Sequence, residues 1–186
     1  MTTDQEQTII RHCADWVQFS VIGCGFCPFA YKVVADNSIR YKVIAGRELH
    51  LHPHMVLEEL KMLELQPETA TTLLIFPDAY EHFSAYLQLL NQSEKLLRRK
   101  GFEGIFQLAS FHPEYVFGDA DTDDPANYTN RSPYPIIHIL REAGMQEALE
   151  GFREPERIPE RNIRFARSKG ADYLKALLAK AMGKGH

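Results

Sequence analysis

The chain has 186 residues, 45% hydrophobic and 25% charged, which suits a folded globular protein and excludes disordered, collagenous and disulfide-scaffold classes. Its net charge of −4 excludes a wholly basic nucleic-acid binder, and no apolar run reaches the roughly 18 residues of a membrane span. Three cysteines and an N-terminus without a basic start or apolar stretch point to a reduced, cytoplasmic protein.

In chain order, Ile9, Ile10, Cys13, Trp16, Val17 and Ser20 recur at helical spacing, with Thr3 or Asp4 as the expected cap. Gly23 and Gly25 break it, and Pro28 opens a short helix running to about Ala35. Residues 39–45 alternate as a strand. A helix is expected from Met55 to Leu65, a buried strand over 71–76, a long helix from Ala79 to Lys100, and a third strand over 103–110. Residues 111–132 read as a long loop carrying Phe111, Tyr115, Phe117 and Tyr128 together with an acidic run in 119–124. Ser132-Pro133 reads as an N-cap and first helical position, with the helix continuing to about Glu150. Ile158-Pro159 starts another helix and Ala171–Met182 forms a last one. The expected architecture is α/β, with a small sheet of three to four strands covered by several helices and a helical C-terminus. One domain over residues 1–186 is expected, with 183–186 a frayed tail.

Charge is unevenly spread. Residues 1–150 carry 12 Lys+Arg against 21 Asp+Glu, and residues 151–186 carry 9 against 4, so a −9 body precedes a +5 tail. The tail reads as the solvated face of amphipathic helices docked on an acidic body rather than a nucleic-acid surface.

Long loops in compact domains are usually functional, so the candidate site is sought between Gln107 and Glu142. His112 stands at a strand exit, where α/β proteins place ligands, although loop backbone could equally satisfy its ring. A helix starting at Pro133 would aim its free N–H groups at Asn130, Arg131 and Ser132, an anion pocket to which Gln107, Ser110, Tyr115 and Asn127 could contribute. In that helix His138, Arg141 and Glu142 would share a face, fit for acid–base work, for a metal site with His112, or for a plain surface ion pair. Cys27 is a candidate nucleophile or a buried structural thiol. With Cys24 it forms a C-x-x-C, and a redox role would require a strand directly before the pair. His50, His52 and His54 could hold a metal or form an exposed turn.

Several blocks together resemble a family of bacterial proteins known as domain of unknown function 1415. They are Cys27-Pro-Phe-Ala, Thr71-Thr-Leu-Leu-Ile-Phe-Pro, Gly104-Ile-Phe-Gln-Leu-Ala-Ser-Phe-His-Pro-Glu-Tyr, Asn127-Tyr-Thr-Asn-Arg-Ser-Pro-Tyr-Pro, His138-Ile-Leu-Arg-Glu and Ile158-Pro-Glu-Arg-Asn. The resemblance covers nearly the whole chain and implies a single-domain bacterial cytoplasmic protein, without implying an activity. Its blocks take in Cys27, His112, Asn127, Asn130, Arg131, His138, Arg141 and Glu142, but neither Cys24 nor the His50/His52/His54 group. The expected function is an enzyme or binding protein for a small anionic phosphate or carboxylate. The alternatives are an interaction or assembly protein, or a thiol-redox protein. No cofactor or oligomeric state follows from these residues.

Overall fold

A computed structural model describes residues 1–150 and 152–184. Helix α1 (Thr3–Trp16) is capped by Thr2, earlier than expected, because a reciprocal pair forms there. The Thr2 hydroxyl accepts the Gln5 N–H, and the Gln5 side chain accepts the Thr2 N–H. Ile9, Cys13 and Trp16 form its buried stripe. The helical path runs past Ser20 and stops at Gly23, as the spacing and the glycines indicate. It widens into a π-helix over Val17–Ile22. Helix α2 (Ala30–Ala35) begins beyond Pro28, so Cys27 stands in the turn before it.

Strand β1 (Ile39–Val43), helix α3 (His52–Leu65), strand β2 (Thr71–Ile75), helix α4 (Phe83–Arg99) and strand β3 (Phe106–Phe111) follow in the expected order with shifted ends. Helix α3 starts earlier than expected because Pro53, lacking an N–H, suits a first turn. Helix α4 stops at Gly101, whose φ of 83° closes a helix at little cost to a residue without Cβ.

The one element of the wrong type is the helix expected from Pro133 to Glu150. The chain instead runs as strand β4 (Ile136–Arg141) into helix α5 (Glu142–Leu149). Tyr134 lies before Pro135, and a residue before proline is driven out of the α region. Three isoleucines in the next four residues then favour a strand, where branched side chains pack well. The Ser132 hydroxyl donates to the Tyr134 carbonyl and caps no helix.

The sheet order is β1-β2-β4-β3, with β1 and β2 parallel and β4 antiparallel to both of its neighbours. β1, β2 and β3 therefore end together at the edge where β4 begins. Side chains alternate across it. Leu74, Phe106, Ile137 and Ile139 pack against α3 and α4, whereas Val43, Leu73, Ile75 and Ile136 pack against α1 and the π-helix.

The C-terminal helices α6 (Ile158–Lys169) and α7 (Ala171–Ala181) complete the fold. Phe26, Phe165, Ala166, Leu174 and Tyr128 form a small cluster beneath the long loop, which contains a 3-10 turn at Pro125–Thr129. Arg167 takes both carboxylate oxygens of Asp124, at 3.1 and 2.7 Å, so the basic tail meets the acidic run of the loop. Gly183 and Lys184 close α7, with the Lys184 N–H on the Ala179 carbonyl. The last two residues of the expected frayed tail lie outside the described residues. Among the described residues no helix is long and apolar enough to cross a membrane.

Candidate functional site

The polar residues of the long loop hold the loop together. Asn127 is buried, accepts the Phe117 N–H, and donates to the carbonyls of Asp121 and Thr122. Asn130 donates to the Ser110 carbonyl and accepts the Thr129 hydroxyl. Arg131 donates to the Tyr115 and Thr122 carbonyls and lies over the Tyr128 ring. Its own carbonyl accepts the Trp16 indole N–H. Tyr115 packs tilted against Phe83 and edge-on against Phe117, while Gln107 is exposed on the edge strand β3. These donors face carbonyls, and the helix N-terminus expected to complete an anion pocket is replaced by β4.

His112 and His138 fall on opposite faces of the sheet. The buried His112 ring packs against Phe83 and Tyr86 of α4. Its Nε2–H donates to the Tyr80 carbonyl at 2.8 Å, and its Nδ1 accepts the Glu114 N–H at 3.0 Å. Burial pulls its pKa below the ordinary imidazole value, against the opposing pull of the Tyr80 carbonyl. Tyr80 has a φ of 61°, a left-handed conformation that is strained for a side chain of this size. Its hydroxyl meets His52 Nδ1 at 2.9 Å, so two histidines pin this residue.

His138, Arg141 and Glu142 share no helix face, since the first two lie in β4 and Glu142 begins α5. Arg141 donates to the carbonyls of Leu63, Gln66 and Thr69 at the C-terminal end of α3, where a cation is favoured. The buried His52 at the start of α3 is turned to Tyr80, while His50 and His54 are exposed, so these three do not form an extended metal-binding segment. Among the described residues no group of three or more His, Cys, Asp or Glu could hold a metal ion. A π-helix, and no strand, precedes Cys24, which overturns the redox topology. Cys24 packs at the Phe26–Phe165 cluster, away from the cavity that Cys27 lines.

Two concave regions are lined by residues of the stretch between Gln107 and Glu142. An open groove of about 590 Å³ lies where β1, β2 and β3 end, lined by Arg47, Asp78, Glu81, His112, Glu114 and Tyr134 among others. Its three carboxylates outnumber its one arginine, and the His112 ring nitrogens are already engaged.

The other is a mostly apolar cavity of about 270 Å³ between the sheet and the helices at the N-terminal end of the chain. Trp16, Val17 and Val21 supply one wall, Cys27, Phe29 and Val33 a second, Leu73, Phe111 and His138 the sheet floor, and Gly144 and Met145 of α5 the rim. The π-helix brings Val17 and Val21 to this wall, and π-turns often mark functional sites. His138 Nε2 meets Thr71 Oγ1 at 2.6 Å. Burial drops the His138 pKa to about 4, because no carboxylate among the described residues lines the cavity to balance a charged ring. Burial also pushes the Cys27 thiol up, although the N–H groups of Phe29 and Ala30 pull the other way. Both groups rest neutral at physiological pH. Nothing in the sequence marked Thr71 or the two π-helical valines as site residues, because the cavity forms only when distant elements pack.

No curated protein and no solved structure matches the chain. Residues 8–176 match the family described as a protein of unknown function, DUF1415, and the chain belongs to that family.

Proposed function

We propose that the chain is a small-molecule-binding protein, or an enzyme built on one, whose site is the cavity at His138. The observation that carries this reading is an apolar space with a single imidazole set in its floor. Apolar cavities of roughly 150 Å³ stay dry and bind benzene, so a space of about 270 Å³ suits a two-ring molecule. An anionic ligand is less well supported. Arg141 is the one cation among the described lining residues, and three α3-side carbonyls already engage its guanidinium. The assembly reading is weakened by the loop aromatics, which pack within the chain on Phe83, on Trp16 and on one another. Three free cysteines support a reducing compartment.

A methyl NMR titration with 2-methylnaphthalene tests the reading. Saturable shifts are expected at Val17, Val33 and Leu73, with Leu60 and Ile137 on the other face unmoved. Absence of saturable shifts at the cavity methyls overturns it.

A further inference from the structure

The hydrogen bonding around His138 determines which of its nitrogens carries a proton. Thr71 Oγ1 lies 2.5 Å from the Ile139 carbonyl oxygen and 2.6 Å from His138 Nε2. A carbonyl can only accept, and a hydroxyl has one hydrogen to give. That hydrogen goes to Ile139, so Thr71 Oγ1 accepts from His138 Nε2–H. The neutral ring must then carry its lone pair on Nδ1. No protein group among the described residues donates to this nitrogen, and the residue is only partly buried. No occluded side-chain nitrogen or oxygen among those residues lacks a partner, so Nδ1 keeps an accessible surface, and the space beside the ring is the cavity.

Resting on the cavity reading above, we propose that His138 Nδ1 is the recognition atom and that the ligand is a neutral aromatic alcohol. Its O–H donates to Nδ1 while its rings fill the apolar walls. The argument is one of complementarity. A ligand without a donor displaces water from Nδ1 and leaves the lone pair unpaired, and sites built around a hydrogen bond strongly reject analogues that lack it. An alkoxide or carboxylate would set negative charge against the lone pair, on a wall whose one cation among the described residues, Arg141, already donates to three carbonyls. The Thr71–Ile139 relay holds Nδ1 as an acceptor before any ligand arrives, so binding requires no proton rearrangement.

The test compares 2-naphthol with 2-methylnaphthalene, two molecules of nearly the same shape that differ in O–H against CH3. On the full chain, 2-naphthol should bind at least about 10-fold more tightly. The pyridine-type 15N resonance of His138 Nδ1 should move upfield with 2-naphthol and stay in place with 2-methylnaphthalene. His138→Phe should bind both equally. Should that variant fail to fold, the wild-type affinity ratio and the Nδ1 resonance decide. Equal affinities with an unmoved Nδ1 overturn the recognition role and leave the cavity reading standing. Saturable binding of neither compound overturns both.

Discussion

His112 and His138 each hold a neutral ring with the proton on Nε2, yet they differ in what remains for a ligand. His112 has no spare atom, since it donates to Tyr80 and accepts from Glu114 across the loop. His112→Ala should cost on the order of 2–4 kcal/mol through a lost buried ring and a stranded Glu114 N–H and Tyr80 carbonyl. The affinity for 2-methylnaphthalene should not change, because the cavity lies across the sheet, and thermal melts beside the titration check both halves. Thr71→Val should cost about 1–2 kcal/mol and free the His138 ring to exchange tautomers, visible as averaged 15N resonances. His112 was legible as a position, since a strand exit followed by Pro113 is a local pattern. Its role was not, because the carbonyl it holds lies 32 residues away at Tyr80. The same holds for Asn127, Asn130 and Arg131, whose polar richness reads as a ligand site until their carbonyl partners are located.

Helices with a clear apolar stripe, such as α1 and α4, were legible from periodicity. Strand β4 was not, because two rules compete at Ser132-Pro133: a serine before a proline signals a helix start, whereas Pro135 forbids the α region at Tyr134. The isoleucine run decides for a strand and puts His138 in the floor of a cavity. Helix α5 has no buried residue and forms part of the rim, so it is held mainly by its junction with β4. Its amides should exchange with solvent far faster than those of β4, read by hydrogen exchange. Gly144 leaves room for a side chain, since an added Cβ meets nothing nearer than Arg141 Cβ at 3.9 Å. Gly144→Ala should therefore stabilise the chain by about 0.5–1 kcal/mol through helix propensity, seen as a raised melting temperature.

Across the molecule, burial lowers the pKa of His12, His52, His112 and His138 together. In the unfolded chain a histidine takes up its proton near 6.5, and in the folded chain His138 does so only at about 4. Between those values the unfolded state binds more protons, so stability is complete above about pH 6.5 and drains away as pH falls toward 4. His138 alone accounts for a loss on the order of 3 kcal/mol over that window. Denaturant melts between pH 7 and pH 4 should show a steadily falling midpoint, and His138→Phe should flatten the fall.

Trp16 is the chain's single tryptophan. Its indole borders the cavity, its N–H is tied to the Arg131 carbonyl, and its ring meets Phe111 edge-on. The protein therefore carries one native fluorophore at its proposed site and no other tryptophan to dilute the signal. Occupancy of the cavity can be followed by emission without a label, with energy transfer to a bound naphthol reporting arrival as quenching.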